Sequence, residues 1–173
     1  MRREHGFLAA VGALKFKDVF ASSEFLVGVP VGILLASAQT AWGTTELRVS
    51  TTTAFVSIIT ALLGIIFAGF AMVVAFLSPK YLSFLDQSEE GVKKFFRPFM
   101  IAIGMQCILL FLAVFHMSLG ASLDWVTELV LFWVTSISFA WNVIDVVALA
   151  RSVMMQATVR ARHDRIIGDS EKR

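Results

Sequence analysis

Residues 54–78 form an apolar run that contains no charged residue. A helix needs about 20 apolar residues to cross a hydrocarbon core of about 30 Å, so this run is long enough to span a membrane. Three further apolar runs, at residues 25–42, 98–119 and 125–150, reach a comparable length. The sequence therefore predicts four transmembrane helices.

The composition supports this interpretation. Hydrophobic residues make up 57% of the 173 residues and charged residues only 16%, whereas a soluble domain carries about 25% charged residues. A mean hydropathy of +0.77 leaves too few polar side chains to cover a water-exposed surface. The predicted fold class is all-α, a four-span transmembrane helical bundle. Its neighbouring helices are expected to run antiparallel, because the predicted connectors are short.

Basic residues are unevenly distributed between the two predicted sides of the membrane. Four precede the first span, four lie between the second and third spans, and six follow the fourth span. Only Arg48 falls on the other side, so fourteen of the fifteen basic residues share one side. Under the positive-inside rule, we expect both termini to be cytoplasmic in a multi-pass protein of the plasma (inner) membrane.

Three regions follow from this topology. Residues 1–24 form a cytoplasmic leader, and its mixture of apolar and charged residues predicts an interfacial helix. Residues 25–150 form the transmembrane domain, and residues 151–173 form a basic cytoplasmic tail. No glycine or proline follows the fourth span before Gly168, so we expect its helix to extend into the cytoplasm.

Basic side chains of the tail are candidate contacts for lipid headgroups or for a cytosolic protein partner. A lysine or arginine near an anionic membrane surface contributes about 1 kcal/mol to binding. The candidate contact residues are Arg151, Arg160, Arg162 and Arg165. The middle loop, residues 80–97, adds further basic and aromatic residues on the same side.

Polar residues form a stripe along the fourth span. Their intervals of seven, three, four and three residues place them on one face of a helix. The stripe consists of Glu128, Thr135, Ser138, Asn142 and Asp145. A charged residue at mid-bilayer costs about 2.5–3.5 kcal/mol, so this face is expected to meet protein or water.

Two interpretations of the polar stripe remain open. Its side chains either hydrogen-bond to neighbouring helices, with Gln39 and Gln106 as candidate partners, or line a pore between several copies of the chain. A ring of carboxylates from Glu128 or Asp145 would favour cations in such a pore.

Small residues form a ridge along the second span at helical spacing. The ridge contains Thr60, Gly64, Ala68 and Ala71. Small residues let helix backbones approach closely in a membrane, so this ridge predicts helix packing. The contact lies either inside the bundle or between subunits.

No catalytic motif is recognisable in the sequence. It lacks a glycine-rich phosphate loop, a His-Glu-x-x-His zinc motif and a nucleophile elbow, and its three histidines are far apart. Cys107 is the single cysteine, which excludes an intramolecular disulfide. We therefore expect no enzymatic activity, no cofactor and no metal. A net charge of +2 gives no indication of nucleic-acid binding.

The predicted function is that of a non-enzymatic integral membrane protein that forms homo-oligomers within the lipid bilayer. Such an oligomer would form a cation-permissive pore or act as a membrane-perturbing effector, for example in host defence. The alternative is a membrane anchor or accessory subunit that docks a cytosolic protein through its basic tail and middle loop.

Overall fold

The computed structural model describes residues 23–75 and 91–170, which form four helices and contain no strand. The helices are α1 (Ser23–Trp42), α2 (Thr45–Ala75), α3 (Gly91–Leu119) and α4 (Trp125–Ser170). The prediction of an all-α fold is confirmed for this part of the chain. All four helices contain a segment long and apolar enough to cross a membrane, so the structure is compatible with a multi-pass membrane protein.

Two cytoplasmic pieces predicted from the sequence are only partly described. The predicted interfacial helix of the leader lies outside the described residues, as does the middle loop up to residue 90. The remainder of that loop, residues 91–97, forms the first two turns of α3.

Helix α2 begins well before the predicted start of the second span at residue 54. Its first residue is Thr45, because the Thr44 hydroxyl caps the helix and accepts a hydrogen bond from the Leu47 amide at 3.3 Å. Arg48, which the sequence placed in a connector, therefore lies inside α2.

Helix α4 begins at Trp125, as predicted for the fourth span. Asp124 caps it and accepts a hydrogen bond from the Thr127 amide at 3.1 Å. The helix passes Gly168 without ending and contains 46 residues. At 1.5 Å per residue, that corresponds to a length of about 69 Å, roughly twice the thickness of a hydrocarbon core. The prediction of a long fourth helix is confirmed, and its C-terminal end lies later than expected.

Helix α4 contacts each of the other three helices, and α2 also contacts α3. Two hydrophobic clusters hold α2, α3 and α4 together. Phe55, Ile59, Leu109 and Ala113 form the first, and Ile66, Phe99, Ala102 and Leu149 form the second. The short connections at residues 43–44 and 120–124 lie at the same end of the helices, which we call the connection end.

Candidate functional site

Much of the predicted polar stripe of α4 is packed inside the single chain. Glu128, Thr135 and Asn142 are each at most 3% exposed, while Ser138 and Asp145 are half-buried. The three buried residues are seven positions apart, and Phe132 and Phe139 occupy positions between them on the same face. The stripe thus meets protein within one copy of the chain.

Among residues 23–75 and 91–170, Thr135 and Asn142 at the centre of this stripe make none of the predicted hydrogen bonds to other helices. The Thr135 hydroxyl donates to the Leu131 carbonyl at 2.8 Å, and the Asn142 amide donates to the Ser138 carbonyl at 2.8 Å. Both bonds stay within α4. Gln106, a predicted partner, is 1% exposed, and its amide group has no hydrogen-bond partner in the described part of the chain.

Glu128 instead forms a buried ion pair with Arg48. The Arg48 Nη2 donates to the Glu128 Oε2 at 2.6 Å, and the Arg48 Nε donates to the Oε1 at 2.8 Å. Arg48 is 3% exposed and Glu128 1%. The guanidinium group also donates to the Gly43 carbonyl and the Thr45 hydroxyl, so its charge is hydrogen-bonded on several sides.

A buried imidazole connects this ion pair to α3. The His116 Nε2 lies 3.3 Å from the Glu128 Oε1, and the His116 Nδ1 lies 2.9 Å from the Thr52 hydroxyl oxygen. The side chains of Thr52 and His116 are fully buried. We refer to Arg48, Thr52, His116 and Glu128 as the connection-end cluster, which joins α2, α3 and α4 through polar contacts.

Sequence reasoning identified Glu128 but missed the other three members of this cluster. Arg48 looked like a connector residue because it precedes the apolar run of α2. The signal that could have found it is its spacing, since Arg48 and Thr52 continue the row of buried α2 residues that includes Phe55 and Ile59. A charged residue in line with a buried face requires a buried partner.

The hydroxyl, imidazole and carboxylate groups of Thr52, His116 and Glu128 are connected in the order of a nucleophilic triad. Access to this array is missing, however, because Thr52 and His116 are fully buried and Glu128 is paired with Arg48. Within the described residues, no group of three histidine, cysteine or acidic side chains could hold a metal ion. The cluster therefore joins helices and presents no open substrate site.

Helix α1 packs closely on α4 through Gly28, Gly32 and Ala36, a small-residue ridge that sequence reasoning missed. All three are buried. A Cβ atom added to Gly32 would lie 2.5 Å from the Ile137 Cα, and one added to Gly28 would lie 2.6 Å from the Trp141 Cα. The α1 and α4 backbones can approach this closely only because these positions lack side chains.

The ridge predicted on α2 faces outward from the described chain. Thr60, Gly64, Ala68 and Ala71 are all exposed, and a Cβ added to Gly64 would have no atom within 4 Å. This ridge therefore packs against none of the described residues of the other three helices.

Four exposed residues extend the α2 ridge toward the connection end at the same three- and four-residue intervals. They are Glu46, Ser50, Thr53 and Ser57. A surface cavity of about 440 Å³ borders the first three of them and is also lined by Val49 and Ala121. We call the complete row, from Glu46 to Ala71, the open face of α2.

Three hydroxyl groups of the open face donate to their own helix. The Thr53 hydroxyl donates to the Val49 carbonyl, the Ser57 hydroxyl to the Thr53 carbonyl, and the Thr60 hydroxyl to the Val56 carbonyl, at 2.8–3.2 Å. Their lone pairs consequently remain as oxygen acceptors on the surface of α2.

At the end opposite the connection end, Asp145 lies close enough to Glu24 of α1 for the two carboxylates to interact electrostatically. Arg151 is exposed on α4. The side chains of Arg160, Arg162 and Arg165 lie outside the described part of the structure, so their predicted contacts with lipid or a partner stay predictions.

A scan of protein-family models, a search of curated proteins and a search of solved structures each find no match to this chain.

Proposed function

We propose that this chain is a non-enzymatic integral membrane protein that assembles into a homo-oligomer around the open face of α2 and forms a cation-permissive path. The observation that carries the proposal is the row of small and hydroxyl-bearing residues, all exposed, that runs along that face from Ser50 to Ala71. In this proposal the four helices form an antiparallel bundle with cytoplasmic termini.

The orientation rests on the distribution of basic residues. Arg48, the one basic residue on the predicted outer side, is neutralised by Glu128 within the chain. The other fourteen basic residues belong to the leader, the middle loop and the segment after the fourth span. A positively charged cytoplasmic side is therefore favoured, with the connection end on the outer side.

The arrangement of α4 makes it a poor lining for a pore. Glu128 already pairs with Arg48, and Thr135 and Asn142 are buried and hydrogen-bonded to their own helix. Opening a path along this stripe would separate the helices of one copy and leave a buried charge unpaired, which costs about 3–5 kcal/mol.

The open face of α2 has the chemistry that a cation requires. Three of its four hydroxyl groups donate to the helix backbone, so they present oxygen acceptors outward. Glu46 lies at the connection end of the row, where a ring of carboxylates from several copies would attract cations. Gly64, Ala68 and Ala71 leave the remaining part of the row free of bulky side chains.

Ion flux into liposomes tests this proposal. We expect the combined change Thr53→Val, Ser57→Ala and Thr60→Val to reduce cation flux by about tenfold, the equivalent of about 1.4 kcal/mol of lost oxygen contacts. Asp145→Asn is the control on the half-buried α4 stripe and is expected to leave flux unchanged. Unchanged flux in the triple variant would contradict a path along α2.

Oligomeric state in nanodiscs tests assembly separately. Gly64→Leu should shift the protein toward monomers, because the leucine would fill the open face. Gly69→Leu is a matched control on the same helix, since a Cβ at Gly69 also has no atom within 4 Å but points away from the row. Equal oligomer populations in both variants would rule out assembly at this face. If the protein forms oligomers but shows no ion flux, the proposed contact at the open face is retained and the pore is excluded.

The length of α4 favours a second candidate function, that of a membrane anchor. The helix continues from the end of its candidate span at Met155 to Ser170, about 22 Å beyond the hydrocarbon core. A cytosolic protein docked there should be lost when residues 156–173 are deleted, while flux stays unchanged. Retention of such a partner by the truncated protein would argue against docking on this helix.

A further inference from the structure

The Thr52 hydroxyl of the connection-end cluster has two acceptors within reach and only one proton to donate. Its oxygen lies 3.0 Å from the Arg48 carbonyl oxygen and 2.9 Å from the His116 Nδ1. The carbonyl already belongs to the backbone ladder of α2 and has a second lone pair for another donor. The Thr52 proton can therefore point in either direction while all heavy atoms keep their places.

The other side of the imidazole has only one acceptable arrangement. The His116 Nε2 faces the Glu128 Oε1 at 3.3 Å, and a carboxylate oxygen can only accept. A bare nitrogen in that position would set two lone pairs against each other. The Nε2 consequently carries a proton whether His116 is neutral or charged.

From these two contacts we infer that His116 Nδ1 is a reversible proton-binding site served by the Thr52 hydroxyl. With neutral His116, the Thr52 hydroxyl donates to Nδ1. When Nδ1 takes a proton from a hydronium ion, the new N–H bond points at the Thr52 oxygen, and the Thr52 proton turns to the Arg48 carbonyl. One N–H bond forms, one O–H bond of the hydronium ion breaks to leave water, and every donor in the cluster keeps an acceptor.

The surrounding charges determine what this proton does. In the described part of the chain, α2 contributes Arg48 and α4 contributes Glu128 as the charged groups in direct contact with the cluster. Glu46 and Asp124 lie at the same end and are exposed. Protonation of His116 changes the net charge of the cluster from zero to one positive charge. Two cations, Arg48 and His116, then share the single carboxylate of Glu128. Acid conditions should therefore weaken the junction of α2, α3 and α4.

The connection after α3 packs closely over the cluster at Gly120. This residue lies in the connection after α3, and a Cβ added there would lie 3.4 Å from the His116 Nε2 and 2.6 Å from the His116 carbonyl oxygen. The chain therefore covers the Nε2 side of the imidazole, whereas Nδ1 faces the Thr52 hydroxyl. The site does not depend on the proposed assembly of several copies.

Nitrogen-15 spectra of the full-length protein in nanodiscs, labelled at histidine, test the inference. His116→Gln assigns the signal, because His5 and His163 are the only other histidines. We expect Nε2 to stay protonated throughout an acid titration and Nδ1 to gain a proton as the pH falls. An Nδ1 that never titrates, or a neutral form with the proton on Nδ1, would overturn the assignment.

Substitutions at Thr52 separate a proton-binding site from a merely buried histidine. Thr52→Ser keeps the hydroxyl and should titrate at His116 like the wild type. Thr52→Val removes it and should move the midpoint to lower pH by about half to one unit, because the charged imidazole loses a stronger hydrogen bond than the neutral one. Identical midpoints in these two variants would contradict a role for the hydroxyl. If Thr52→Val fails to fold, the proton positions on Nδ1 and Nε2 in the wild-type spectra still test the inference.

Discussion

Helices α1 and α2 both carry small residues at helical spacing, and the structure uses the two rows differently. Gly28 and Gly32 of α1 are buried against the α4 backbone, whereas Gly64 of α2 has open space around it. The α2 helix is held to α4 by side chains, including the Arg48–Glu128 ion pair. A small-residue row thus indicates where a helix can be approached closely, and tertiary contacts decide which partner does so.

Substitution of Arg48 tests the side-chain cluster that holds α2 and is expected to have the largest effect on stability. Arg48→Gln should lower the free energy of unfolding by about 3–5 kcal/mol, because Glu128 would be left buried without its cation. Denaturant titration in mixed micelles measures the loss.

The double variant Arg48→Gln with Glu128→Gln serves as the control for that experiment. Its destabilisation should be smaller than the sum of the two single effects, because it leaves no unpaired charge. Additive effects would show that the pair does not hold α2 in place.

The close contact of α1 is tested at Gly32. Gly32→Leu should destabilise the protein by about 1–3 kcal/mol, because the new side chain would meet the Ile137 backbone and displace α1 from α4. Thermal unfolding followed by circular dichroism gives the size of the effect. Gly69→Leu makes the same substitution in open space and should not destabilise the fold; equal losses in the two variants would show that the close approach is unimportant.

The smallest expected effect concerns the cap of α4. Hydrogen bonds from Thr127 hold the pKa of the Asp124 carboxyl below its ordinary value. A lowered folded-state pKa means that this cap stabilises the fold above the ordinary aspartate pKa and that the contribution disappears as the pH falls through the folded value.

Asp124→Asn removes that carboxylate. In the most acidic range, the free energy of unfolding should therefore depend less on pH in this variant than in the wild type. Because Thr44 caps α2 with a neutral hydroxyl, no matching acid effect is expected at the α2 start. Stability measured against pH for both Asp124→Asn and Thr44→Ala compares the two caps. A difference in stability between wild type and Asp124→Asn that stays the same as the pH falls into the most acidic range would contradict this role of the carboxylate.

Helix type and approximate position follow from the sequence because apolar runs of this length have few alternatives in a membrane. The start of α4 at Trp125 was predictable from the polar residues before it. The start of α2 was not, since Thr44 caps a polar first turn that hydropathy alone assigns to a connector. Similarly, Gly168 does not end α4, as glycine only lowers helix propensity by about 1 kcal/mol.

The candidate site was predictable in part. The spacing of Glu128, Thr135 and Asn142 correctly indicated that these residues share a face that meets protein. The sequence did not reveal that Arg48, eighty positions earlier in the chain, is the partner of Glu128. Nor did it show that His116, apparently isolated near the end of α3, lies between that pair and Thr52.

The sequence by itself determined the number of long apolar helices and the uneven distribution of basic residues along the chain, since both depend on composition and order. The tertiary structure alone decided which faces of those helices meet. It buried Gly32 and left Gly64 open, and it brought Arg48, His116 and Glu128 together. The physical reason is that helical periodicity specifies the residues on a face, whereas the neighbour of that face depends on the packing of whole helices.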